Sequence, residues 1–487
     1  MSQSADAFMP INPRDHRPKG GPRASRAWRK HCGAALAVAC LASLPGLAAA
    51  QTGPRPLRSD IQVTKLLDTT QTGSPAVRLA KDPRNSAIYY LKLSGDVFII
   101  RGQAGTSTRL YTTADHGLTD VQGFAIGPDG TMYLVGNEEY QETRTRGRIA
   151  KGVPQADGSR IWTQLAVTAP YPKSLTAYDH NFNGIVVNPA GTHIYVNSGS
   201  RTDHGEEQNT GGLFPGVRES GLTALILRLP TSGNGIFLRN NRQWLRDNGY
   251  IFAEGIRNTF DMRFAPNGDL FGTENGPGRD NSEELNWLRQ GRHYGFPWRI
   301  GGTDNPMRFR NYDPTIDRLL NPLFDAVRRG FYYNDPAFPP LPGVPLIEPI
   351  RNLGPDADKY RDPVDGIVKD GSDEGVPVGS FTAHRSPLGL VFDTTGGLIP
   401  EFRGDAFMLS WTTGDPTGDT VNGPFKDPGE DLMHLDLTKT GQTYSMRATK
   451  IVEGFRRPID AEIIGNRIYV LEYAGNQSIW VVTLPRS

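Results

Sequence analysis

Cysteine is nearly missing from this sequence. Two occur in 487 residues, Cys32 and Cys40, and both lie within the first fifty. Residues 51–487 have none, which excludes disulfides, thiol catalysis and cysteine-based metal sites in that stretch. Long apolar runs are also missing. The most hydrophobic stretch, "CGAALAVACLASLPGL", is too short to span a bilayer. Net charge is small, at +1, and unevenly spread. Residues 1–50 carry seven Lys/Arg against two Asp/Glu, leaving 46 against 50 in the rest. A slightly acidic body gives no electrostatic ground for binding nucleic acid.

The first fifty residues read as an export signal. Arg23, Arg26, Arg29 and Lys30 precede the apolar run, and "AAA" at 48–50 supplies small residues for cleavage near Ala50. There is no twin-arginine pair, and the "AVA" before Cys40 is a poor lipidation signal. The expectation is a periplasmic or secreted protein with no stable membrane span.

Glycine and proline are plentiful, 56 and 38 residues, as a chain of many strands and turns requires. One pattern recurs six times: an alternating apolar strand, a Pro/Asn/Asp/Gly turn, then a second strand. The copies lie at 77–92, 123–137, 184–199, 260–276, 388–402 and 460–476. Each is a hairpin signal. Six in one chain predict an all-β fold, a six-bladed β-propeller formed by 51–487 as a single domain. The Pro-rich stretch between 277 and 387 predicts long loops on one face, with part of a blade inside it. A pair of β-sandwiches is the alternative.

Three stretches carry candidate chemistry. "YDHNFNG" (178–184) puts His180 just before the third hairpin, and "GIRNTFDM" (255–262) puts Arg257 and Asn258 just before the fourth. Equivalent junctions of successive blades converge on a propeller's central channel, so His180 and Arg257 are expected to share one cavity. A base beside a fixed cation suits proton abstraction with stabilisation of negative charge. The third stretch, "ENGPGRDNSEELN" (274–286), combines the carbonyls of Gly276 and Pro277 with Asp280, Glu283 and Glu284. Such hard oxygen donors suit Ca²⁺ rather than zinc. Composition alone reads the three carboxylates as a solvated acidic loop.

Taken together, "DH", "RN", "EN-GP…EELN…GRHYGFPW", "HRSPLGLVF" and "FRGDAF" resemble the soluble glucose/sorbosone dehydrogenase family. The resemblance runs from about residue 75 to 480. It implies a six-bladed propeller that oxidises a sugar or related alcohol with pyrroloquinoline quinone (PQQ) and Ca²⁺ and passes electrons to an external acceptor. It implies His180 as general base, with Arg257, Asn258 and Arg457 against the quinone. It implies the Gly276 and Pro277 carbonyls as ligands of the cofactor's Ca²⁺, and Glu284 with the Tyr294 carbonyl as ligands of a structural Ca²⁺. The chain departs from the family pattern at four places. Thr412 stands where a lysine is expected, Ile459 where a second arginine is expected, and Ser200 at the acidic partner of the histidine. Two residues are also inserted between Pro277 and Glu284. Arg201, Arg385 and Arg456 are candidates to replace the missing cations. Two other readings compete: a Ca²⁺-stabilised propeller that binds carbohydrate or a partner without redox chemistry, and a propeller with another reaction, such as a lactonase or lyase.

Overall fold

The computed structural model describes residues 53–69, 73–102, 105–412, 423–427 and 429–487. The expected export signal, with Cys32 and Cys40, lies outside them. Among the described residues, six small and mainly antiparallel sheets form the blades, with two further two-stranded sheets beside them. Their innermost strands are Ala76–Lys81, Val121–Ile126, Phe182–Val187, Thr259–Phe264, Pro387–Phe392 and Pro458–Ile464. Each touches the next around a circle, and the sixth touches the first, which closes a six-bladed propeller.

The six hairpins expected from the sequence are the two inner strands of the six blades. In the fifth the second strand is displaced. It runs Ala406–Ser410, beyond the expected 388–402, because a loop closed by the Asp393 N–H on the Asp405 carbonyl (3.0 Å) separates the strands. Blade six is sewn shut by the other end of the chain. Gln62–Asp68 pairs antiparallel with Ser478–Thr483, so strands from near both ends of the described chain share one sheet, with Gln62–Asp68 as its outer strand. The stretch 277–387 does hide part of a blade, as one strand, Glu284–Leu288, the third of blade four. Most of the remainder is loop with short hairpins, such as Lys359–Arg361 with Val368–Asp370.

Hydrophobic clusters fill the wedges between neighbouring blades. Val77, Leu79, Val121, Phe124 and Leu134 form part of one cluster that spans blades one and two. At the axis a second rule operates. Every inner strand has a register irregularity at or beside its third residue. Around the ring those residues are Arg78, Gly123, Gly184, Asp261, Gly389 and Asp460. A bulge turns such a residue toward the axis. A Cβ on Gly123 would lie 2.2 Å from the Asn183 carbonyl oxygen, and one on Gly184 2.7 Å from that of Phe260, so glycine permits the strands to converge. The charged members fill the space. Arg78 donates to the Gln122 carbonyl in the next blade (2.7 Å) and, across the axis, to that of Phe260 in blade four (2.8 Å). Its guanidinium lies 3.7 Å from the centre of the Phe260 ring. The axis is thereby plugged just below the inner strands' first residues.

Candidate active site

The chain crosses the face above this plug and turns down into each inner strand. In four blades the residue just before that strand adopts left-handed backbone: Asp120 (φ 44°), Asn181 (56°), Ser386 (54°) and Arg457 (51°). This conformation is costly for residues other than glycine and asparagine. It sharpens the bend that points junction side chains at the axis. Junctions of blades three, four and five build one cleft, lined by His180, Asn258, His384 and Ser386, with Gly276 and Glu283 on one side and Trp411 and Thr412 on another.

His180 is buried, and its Nδ1 lies 3.0 Å from the Ser200 carbonyl oxygen and 3.2 Å from Ser200 Oγ. A carbonyl can only accept, so Nδ1 carries the proton and Nε2 keeps the lone pair. Burial, reinforced by the charge of Arg257, pushes the imidazole down to about 3. The ring is neutral at pH 7 because the site makes its protonation expensive.

Arg257 stands one layer behind the cleft wall. Its Nη2 donates to Asp203 Oδ1 (2.9 Å), its Nε to the Asp203 carbonyl (2.8 Å) and its Nη1 to the Asn275 carbonyl (3.1 Å). Asp203 also accepts from the Gly278 amide (3.0 Å) and lies 2.8 Å from His204 Nδ1. Burial alone would raise this carboxyl, but its bond to His204 and the charge of Arg257 hold it below the usual range. Asn258 heads an amide lattice. It donates to Asn275 Oδ1 (2.9 Å) and accepts from Asn183 (2.8 Å) and Asn197 (3.1 Å). The lattice locks the tops of blades three and four together.

The acidic stretch is buried, contrary to the reading from composition. Asp280 bridges Arg361 Nη1 and His384 Nε2, each at 2.9 Å. Glu283 accepts from the Gly276 amide (3.3 Å) and the Ser386 amide, and burial pushes it up to about 7. Glu284 accepts from the Gly301 amide (2.6 Å) and Asn286 Nδ2 (2.8 Å), and burial pushes it up to about 7 as well. Its cross-strand partner is Glu274, raised well above the usual range by burial and by Glu284. The Asn286 Oδ1 beside them is buried without a partner. Tyr294 is buried, its hydroxyl donating to the Trp287 carbonyl (2.6 Å). Among the described residues no group of three or more His, Asp or Glu side chains is arranged to grip a metal.

The candidate replacement cations are engaged elsewhere. Arg201 is caged by carbonyls, among them Pro172 and Gln208, and Arg385 is paired with Asp427 and Asp431. Arg456 is exposed. Ile459 is packed in the blade-one core. Arg457 does reach the cleft rim, with its guanidinium 5.7 Å from the centre of the Trp411 ring. Thr412, at the position of the missing lysine, lines the cleft with its Oγ1 buried and unpartnered. Sequence reasoning missed Asp203, His384 and Trp411. His384 opens the quoted "HRSPLGLVF", but Asp203 and Trp411 have no local pattern, and only blade closure brings Asp203 to Arg257 and His384 and Trp411 to the cleft.

The Glucose / Sorbosone dehydrogenase family model matches residues 83–316, in agreement with the resemblance carried by the motifs. Among curated proteins no sequence match is found. The fold is similar to the apo-form of the soluble aldose sugar dehydrogenase from Escherichia coli. That match has 15% identity and a TM-score of 0.52 and covers 88% of this chain and 100% of that one. It is also similar to the holo form of the pyranose dehydrogenase PQQ domain from Coprinopsis cinerea, at 11% identity and a TM-score of 0.52, covering 88% and 98%. At such identities the likeness shows the fold, a six-bladed propeller.

Proposed function

We propose that this chain, whose residues 83–316 match the glucose/sorbosone dehydrogenase family, is an exported PQQ-dependent dehydrogenase of a sugar or related alcohol or aldehyde. The observation that carries the reading is the cleft: a buried histidine with its base nitrogen fixed, an amide lattice and an unpartnered hydroxyl, all at the family's motif positions. The fit to PQQ rests on chain features. Arg457 at the rim and Arg257 behind the wall are cations for an anionic group, and Thr412 Oγ1 is a buried hydrogen-bonding group awaiting a partner. The fit to Ca²⁺ rests on Glu284 and Glu274, two facing buried carboxylates, and on the orphaned Asn286 oxygen. The Gly276 and Pro277 carbonyls would hold the cofactor's Ca²⁺, and Glu284 with the Tyr294 carbonyl a structural one.

When bound, PQQ supplies a two-electron acceptor for hydride. The chain's part is to bind, orient and move a proton. His180 Nε2 takes the hydroxyl proton of the substrate while Ser200 fixes the ring through Nδ1. Burial and the charge of Arg257 lower the proton affinity of His180, and a negative charge beside it raises that affinity by offsetting Arg257. Asn258 and Asn275 line the cleft as hydrogen-bonding amides, and Arg257 stabilises negative charge growing nearby.

The test is reconstitution. Protein made without PQQ should be inactive, and PQQ with Ca²⁺ should create sugar oxidation with an artificial electron acceptor. No PQQ binding at high Ca²⁺ and no oxidation across a broad sugar panel would overturn the reading in favour of a propeller that binds carbohydrate or a partner.

A further inference from the structure

Asp203 lies fully buried where the long loops meet the wall of the cleft. Its Oδ1 accepts from Arg257 Nη2 (2.9 Å) and from the Gly278 amide (3.0 Å). Its Oδ2 faces His204 Nδ1 (2.8 Å) and accepts from the Tyr332 hydroxyl (3.2 Å). Its backbone carbonyl accepts from Arg257 Nε (2.8 Å), so one residue grips the guanidinium twice. The His204 and Tyr332 rings are stacked, 3.7 Å between centres and 12° from parallel. His204 Nε2 lies 3.2 Å from the Phe331 carbonyl oxygen, which ties the stack to the loop region 277–387. On its other side Arg257 touches the cleft wall, because its Nη1 donates to the carbonyl of Asn275, a lining residue. Burial shifts His180 and Glu283 most, and the charge of Arg257 acts on both, favouring the neutral imidazole and the ionised carboxylate. Its field therefore crosses the cleft.

We propose that Asp203 is a positioning residue that aligns Arg257 behind the cleft wall and offsets its charge, giving up affinity for an anionic ligand in exchange for a fixed guanidinium. The inference rests on the dehydrogenase reading for the identity of that anion, PQQ, and not for the electrostatics. A carboxylate beside a guanidinium cancels most of its field a few ångströms away. Removing that negative charge raises the potential in the cleft whatever else the guanidinium touches. The gain is alignment, since a donor held by two bonds to one residue keeps its direction while charge grows nearby. The long loops take part through His204 and Tyr332, which hold Oδ2 and leave Oδ1 facing Arg257.

Asp203→Asn is the decisive variant, because asparagine keeps the shape and one acceptor oxygen and loses the charge. Fluorescence titration of the apo-protein with PQQ and Ca²⁺ should show binding tightened roughly tenfold, the scale of one charge several ångströms away in a partly dry site. The salt dependence of binding should steepen. Turnover of the loaded protein should fall about tenfold, because the guanidinium has lost its alignment. A merely structural role cannot produce this split, since a damaged fold weakens binding and turnover together. The double variant Asp203→Asn with Arg257→Gln leaves no uncompensated charge and keeps the test open if the single variant fails to fold. Arg257→Gln alone keeps only the carboxylate and should bind PQQ more weakly than that double variant. Unchanged or weaker binding in folded Asp203→Asn, or equal binding in Arg257→Gln and the double variant, would overturn the proposal. Citrate, followed by calorimetry, separates the two readings. If PQQ binds no form but citrate binds Asp203→Asn more tightly than wild type, the dehydrogenase reading fails and this one stands. If the wild type oxidises sugar and Asp203→Asn binds PQQ no better, only this one fails. If neither anion binds any form, both fail.

Discussion

Two sets of buried acids lie a few residues apart in this molecule and are treated differently. On the plugged axis, Asp261, Asp460 and Glu462 are accompanied by Arg78 and Arg263. Arg263 is 3.1 Å from Glu462, 3.7 Å from Asp261 and 4.0 Å from Asp460. Each aspartate also caps a backbone amide of the next blade, Leu390 from Asp261 (2.9 Å) and Leu79 from Asp460 (2.8 Å). At the strand end above, Glu274, Glu283 and Glu284 accept from backbone amides, a threonine hydroxyl and Asn286. Burial raises acids in both places, Asp460 to about 7 as well. The difference is the cation. The axis brings its own arginines, so it is complete as built. At the strand end the charges of Arg257, His384 and Arg299 do not overcome burial, so it holds protons or recruits a cation, and that is how a scaffold and a site differ here.

The largest test of this contrast is chemical. With PQQ and Ca²⁺ present, His180→Ala should cut turnover by roughly 10² to 10⁴, the usual contribution of a positioned base, while quinone absorbance shows the cofactor still bound. Turnover within twofold of wild type would remove His180 from the reaction.

The next test sets the two acid groups against each other. Chelator should lower the melting temperature and Ca²⁺ restore it, by about 2.7 kcal/mol at a hundredfold excess over Kd. Glu284→Gln should blunt that response. Asp460→Asn should shift the melting temperature in both conditions and leave the Ca²⁺ response intact. Equal blunting by both variants would erase the distinction between axis and strand end.

The pH dependence of the metal-free protein sharpens it further. Glu283 and Glu284 are raised from 4.5 to about 7 in the folded state. Their contribution is fully present below 4.5 and is lost as pH rises through 7. His180 is lowered from 6.5 to about 3, so its contribution is present above 6.5 and is lost as pH falls. Between 4.5 and 6.5 the two carboxyls outweigh the one imidazole, and above 6.5 only the carboxyls act. Thermal unfolding without Ca²⁺ should therefore show stability declining by about 1 to 3 kcal/mol from pH 5 to 8, with Ca²⁺ flattening the curve. A rising curve in chelator would contradict the assignment of protons to these glutamates.

The smallest expected effect is at the cleft rim. Thr412→Lys should tighten PQQ severalfold by adding a cation beside an anionic ligand. Fluorescence titration measures this. Weaker binding would mean that the threonine hydroxyl is the better partner.

The blade count was legible before folding, because each blade's inner hairpin repeats the same alternation and turn. Strands need only near neighbours to show their period. That His180, Asn258 and Gly276 meet in one cleft follows for a related reason, since each sits at a junction immediately before or after such a hairpin, whereas Arg257, expected in the same cavity, stands behind its wall. What no local pattern could reveal is which distant groups meet at these junctions. Asp203 comes to Arg257 from 54 residues away and His384 to Asp280 from 104. Nor did the sequence show that the acidic stretch is buried, since burial depends on the 299–380 loops packing over it. The sequence alone determined the strands, the turns and their repetition, because these depend on side-chain alternation and backbone preference within a few residues. Only the closed ring decided which charges are paired, which proton His180 keeps and which acids are left needing a cation, because those depend on distances between blades and on water excluded from between them.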